Sequence, residues 1–169
     1  MDMPERFSGL AAYIKAHYRP RREPPVFDRR RCDAALVCEA APMAAPKASL
    51  EDYLKQEDAG FSEKLLALID RSGRKDSEIY KKAGLSRQHS SKIRSDPHYR
   101  PTKPTAAALA LALELDLNET RDLLGRAGYA LTNSSKFDLI IRYFIEQGAY
   151  DLTEINQALY EFDQSLLFS

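Results

Sequence analysis

The chain has 169 residues, 44% hydrophobic and 30% charged, and its 25 basic side chains balance its 25 acidic ones. That length suits one compact domain, alone or with a tail, and such a domain needs no disulfide or metal staple. No run of about 18 apolar residues is present, which excludes a membrane-spanning helix. Residues 1–10 hold Asp2, Pro4, Glu5 and Arg6 and lack the apolar stretch of a secretory leader. Two cysteines, Cys32 and Cys38, are too few for a disulfide scaffold. No paired Cys or His accompanies them, so no metal site is expected. The expectation is a cytoplasmic protein with free thiols.

The zero net charge hides an uneven distribution. Residues 1–48 carry a net +3, residues 49–73 a net −3, residues 74–104 a net +6 and residues 105–169 a net −6. A positive block beside an acidic third points to one surface that faces a polyanion. The plainer alternative is a solvated Lys/Arg face that evens out in three dimensions.

In chain order, six of the nine prolines fall in residues 1–48. Phe7, Leu10, Ala11 and Ile14 recur at a spacing of three to four and predict a short amphipathic helix. Residues 18–25 hold Pro20, Pro24 and Pro25 and cannot be regular helix. The Ala- and Pro-rich residues 40–48 read as a linker. The whole is a Pro/Arg-rich arm that is either flexible or ordered only on docking. Its arginines, Arg19, Arg21, Arg22 and Arg29 to Arg31, either track a nucleic-acid backbone or pack on the chain's own acidic third.

From Ser49 onward the signals are helical. A helix is predicted over 61–71, with Leu65, Leu66, Leu68 and Ile69 on one face and Gly73 beyond its end. Short helices over 76–82 and 86–95 follow, the second capped by Ser86 and ended by Asp96-Pro97. Residues 101–104 read as a loop. Thr105 is expected to cap a buried helix over 106–115, and Asn118 one over 117–126. Ser134 or Ser135 caps a helix over 136–147, and Asp151 with Glu154 marks the start of one over 152–162. No strand alternation competes, so the class is all-α. The domains read as an arm over 1–48, a helical domain over 49–128 and a helical extension over 129–169 packed on it. The apolar tail Leu166-Leu167-Phe168 either folds back or meets a partner.

The stretch from Asp76 to Ser95 places two short helices around Ala83-Gly84-Leu85-Ser86. The glycine permits a left-handed turn, Leu85 plugs the core and Ser86 caps the second helix. That is the grammar of a helix-turn-helix, whose second helix can enter a major groove. With one helix before and two after, residues 61–128 resemble the λ-repressor-like (XRE-type) helix-turn-helix family. Lys82-Ala83-Gly84-Leu85-Ser86-Arg87, Ser91-Lys92-Ile93-Arg94 and Arg100-Pro101-Thr102 carry the resemblance most specifically. Leu109 to Leu113 and Leu115-Asp116-Leu117-Asn118-Glu119 extend it.

The resemblance implies a five-helix bundle with two extra C-terminal helices. It implies a sequence-specific transcriptional regulator that binds double-stranded DNA as a homodimer. Residues 86–95 would be the recognition helix. Arg87 can fork onto guanine and Gln88 onto adenine, and Ser91 also faces the groove. Lys92, Arg94, Arg100 and Lys103 would neutralise phosphates.

The chain departs from the family's pattern at three positions. The first residue of the second helix, usually a phosphate-bonding glutamine, is Asp76. A small residue is replaced by Tyr80, and an apolar one in the recognition helix by Ser90. These motivate a second reading: the same fold as a protein-interaction or adaptor module, acting through the arm or the C-terminal helices. RNA binding also fits the charge pattern. No Gly-rich phosphate loop, HExxH or GxSxG is present, so neither catalysis nor a cofactor is expected.

Overall fold

The structure is a computed structural model that describes residues 7–20, 60–96 and 98–168. The Arg-rich and Pro-rich part of the arm beyond residue 20, both cysteines and the expected boundary at 48/49 lie outside the described residues. The described residues form eight helices and no strand, as the all-α expectation required. They are α1 (Ser8–His17), α2 (Phe61–Ser72), α3 (Asp76–Lys82), α4 (Arg87–Ser95), α5 (Lys103–Ala112), α6 (Leu117–Arg126), α7 (Lys136–Glu146) and α8 (Leu152–Glu161). None is long and apolar enough to cross a membrane.

The core is built around α5. Every residue from Ala106 to Ala112 is buried. Five of the seven are alanines, whose small side chains let α3, α6 and α8 approach closely. In turn α6 packs on α2 and α7, and α7 packs on α8 and α1. Helix α1 joins the same core through Phe7, Leu10 and Ile14, all buried. A polar group seals its outer side: the Tyr13 hydroxyl donates to Glu146 at 2.8 Å, and Arg142 donates to the same carboxylate at 2.7 Å.

The boundaries of α5 differ from expectation at both ends. The helix starts at Lys103, with Thr102 at the N-cap, so Pro104 lies in the first turn and not in a loop. First-turn N–H groups have no intrahelical partner, so a proline there breaks nothing. The helix ends at Ala112 and not Leu115, because Glu114 adopts a left-handed backbone with φ 57. The Glu114 N–H donates to Leu111 O at 3.0 Å and the Leu115 N–H to Ala110 O at 3.1 Å, which closes the helix end. Likewise α6 is capped by Asp116, whose carboxylate accepts from the Glu119 N–H at 2.8 Å, and not by Asn118.

Left-handed backbone at a non-glycine residue is costly, and here the side chain is held in compensation. Arg74 forks onto both Glu114 oxygens at 3.0 Å, and Lys82 donates to one of them at 2.8 Å. This cluster ties the end of α5 to the start and the end of α3. The hydrogen bonds from Arg74, then those from Lys82, lower the Glu114 carboxyl from 4.5 to about 2. A carboxyl depressed by folding stabilises the protein fully above its unfolded value and loses that contribution as it becomes protonated. Glu114→Gln is therefore expected to lower stability in urea unfolding at neutral pH. The difference from the unaltered protein should shrink as the pH falls from about 4.5 towards 2; a difference constant with pH would contradict the ion-pair assignment.

Candidate nucleic-acid interface

Helices α3 and α4 meet at a closed turn. The Gly84 N–H donates to Lys81 O at 3.1 Å and the Leu85 N–H to Tyr80 O at 2.9 Å, with Gly84 at φ 70. An L side chain is strained at that φ, so the turn needs its glycine. Two residues on, the Ser86 hydroxyl accepts from the His89 N–H at 3.4 Å and caps α4. The His89 ring Nδ1 lies 3.1 Å from the same hydroxyl.

Nine residues are too few for a stable helix in isolation, since independent helices need roughly 12–15. Tertiary contacts must therefore hold α4, and Ile93 is its one buried side chain. Ser90 is half-buried and donates to Arg87 O at 2.8 Å. Tyr80 and Ser90 line two clefts between α3 and α4, of about 540 and 380 Å³. The Tyr80 hydroxyl is buried and makes no hydrogen bond to any described residue. Burial, and secondarily the Asp76 charge, raises its pKa. At its far end α4 is tied by the buried Ser62, which donates to Asp96 O at 3.1 Å.

The seven residues singled out in the sequence fall into three groups. Arg87, Gln88, Ser91 and Lys92 are exposed on α4, and Arg100 is exposed in the loop after it. The Lys92 Nζ lies 5.7 Å from the Tyr99 ring centre, which links that loop to the helix. Arg94 instead forms an ion pair with Asp76. Lys103 is turned to Asp138, a buried carboxylate, at 2.5 Å, and also donates to Ala130 O at 2.9 Å. The other Asp138 oxygen accepts from the Thr132 N–H and hydroxyl at 2.9 and 3.1 Å.

The positive block thus divides. Arg74, Lys82, Arg94 and Lys103 are neutralised by carboxylates. Lys75, Lys81, Arg87, Lys92 and Arg100 form no ion pair with any described residue, and three of these five lie on α4 or the loop after it. Helix α4 contains no acidic residue. Its exposed side offers forked and amide donors beside unneutralised cations, a set suited to anionic backbones and base edges. Among the described residues no group of His, Cys, Asp and Glu is placed to hold a metal ion.

Charge counting did not separate the engaged cations from the free ones. The signal for Arg94 lay in the sequence: an acidic residue opens α3 and a basic one sits in the last turn of α4. Lys103 carried no comparable signal, because Asp138 is distant in the chain. Comparison of the chain with protein-family models, curated proteins and solved structures gives no match.

Because Ile93 alone anchors the inner face of α4, Ile93→Ala is expected to cost about 2–4 kcal/mol. Amide exchange should accelerate more in α4 than in α7, and uniform acceleration would contradict this local anchoring.

Proposed function

We propose that this chain is a sequence-specific DNA-binding transcriptional regulator of the λ-repressor-like helix-turn-helix type, without catalytic activity. In this reading α2 to α6 form the five-helix domain, α7 and α8 extend it, and α4 enters the major groove. One observation carries it: an acid-free helix with a glycine turn and a serine cap leaves Arg87, Gln88, Ser91 and Lys92 exposed, and Arg87 and Lys92 have no ion-pair partner among the described residues. Arg87 and Gln88 would read base edges. Lys92 and Arg100 would bind phosphates. Arg94 and Lys103 support the helix and the domain instead, through Asp76 and Asp138.

The test is a titration onto mixed-sequence duplex DNA at two salt concentrations. With two phosphates neutralised, by Lys92 and Arg100, the logarithm of affinity should fall with that of salt with a slope of about −2. The double variant Arg87→Ala, Lys92→Ala should bind at least about tenfold more weakly and with a shallower slope. A specific observation favours a second reading, an adaptor module that binds protein: Asp76 stands where the family bonds a phosphate, and its charge is locked to Arg94. Absence of binding at low salt would leave that reading in possession.

Proteins of this type commonly read paired half-sites, and we further propose a homodimer. Tyr160 on α8 is 73% exposed and Leu166 37%, large apolar groups on the extension that a second copy would cover. Light scattering should give a mass that rises with concentration towards twice the 19.1 kDa of the chain. A constant monomer mass would exclude the dimer.

A further inference from the structure

We infer that Phe168, far from α4 in the chain, is a positioning residue for its first turn. The inference deepens the DNA-binding reading and, for its effect on affinity, rests on it. After α8 the chain folds back, and Leu167 is buried at 6% exposure. Asn156 on α8 clamps this tail twice: its Oδ1 accepts from the Leu167 N–H at 2.8 Å and its Nδ2 donates to Phe168 O at 2.9 Å. The clamp delivers Phe168 to the α3–α4 turn. A methyl group built on Gly84 would lie 2.7 Å from Phe168 Cγ and 2.9 Å from its Cβ. Real Cβ atoms do not approach so closely, so Phe168 and the Gly84 backbone are in direct contact.

That contact matters because of what the turn supports. Gly84 is the most permissive residue in the chain's path to α4, and it stands two residues before the Ser86 cap. Ile93, the single buried anchor of α4, lies at the opposite end of the helix from Arg87 and Gln88. The first turn therefore depends on the cap and on the turn behind it. Phe168 packs against one side of Gly84, whose other side stays exposed, and backs the turn that the Gly84 and Leu85 N–H groups close onto Lys81 O and Tyr80 O. Without the ring, the first turn of α4 frays, and only the ordered fraction presents Arg87 and Gln88 together. Apparent affinity falls by that fraction. No phosphate contact is lost, so the salt slope stays constant.

The experiment compares the full chain with its Phe168→Ala, Phe168→Leu and Asn156→Ala variants by amide hydrogen exchange without DNA and by DNA titration at two salt concentrations. Phe168→Ala should accelerate exchange of the Ser90 and Ser91 amides about tenfold while α7 amides keep their rates. DNA affinity should fall about tenfold at an unchanged salt slope. Phe168→Leu, which keeps an apolar cover, should restore most of both, and Asn156→Ala, which keeps the ring but frees the tail, should act in the direction of Phe168→Ala. Unchanged exchange in α4, or acceleration throughout α7 as well, overturns the positioning role. A slope that becomes shallower also overturns it, since Phe168 would then act on phosphate contacts. If the unaltered protein binds no DNA, the DNA-binding reading fails, and the exchange measurements alone decide whether Phe168 orders α4.

Discussion

Ile93 is the one side chain that α4 buries, so the rest of that helix is governed by what holds its two ends. At the far end Ser62 bonds the Asp96 carbonyl and Arg94 pairs with Asp76. At the near end the Ser86 cap follows a left-handed turn that closes α3 and is contacted on one side by Phe168. A helix with an apolar stripe would bury itself more firmly. One with a single anchor keeps nearly its whole circumference for solvent or a ligand, and depends on its neighbours for its direction.

Those neighbours are in turn fixed by α5. Its alanines permit close packing on several sides, and the left-handed Glu114 at its end gathers Arg74 and Lys82 from the two ends of α3. The ion pairs here are largely exposed, and exposed pairs contribute little stability individually. Their effect on charge is larger. Carboxylates from the acidic parts of the chain neutralise the cations that face the domain, and among the described residues the cations of α4 and its following loop are left without such partners apart from Arg94. A surface of that kind is what the proposed DNA-binding reading requires, and Asp76 is the element that sits least easily with it.

Much of the helical order was legible in the residues. The 3–4 spacing in α2, the Ser86 cap, Gly84 and the dense Ala/Leu run of α5 each have a local physical cause, and each is seen in the structure. The errors also have local causes. The end of α5 was misplaced because Glu114 takes a left-handed conformation that sequence patterns assign to glycine. Its start lies before the expected one because Pro104, which resembles a loop signal, is a first-turn residue. The site was legible as a set of exposed residue types on α4, but not as an electrostatic arrangement. Lys103 and Arg94 are removed from the free cations by Asp138 and Asp76, through pairings that only the folded chain creates. The destination of Leu167 and Phe168 was likewise undetermined until Asn156 and Gly84 were seen to receive them.

The proposed nucleic-acid-binding surface is the outward side of α4. Its most direct test is residue-resolved: record amide chemical shifts of the isotope-labelled full chain as duplex DNA is added at low salt. The largest perturbations should fall on Arg87, Gln88, Ser91, Lys92 and Arg100, with α1 and α7 little changed. Perturbations centred on α7 and α8, or none at all, would contradict it.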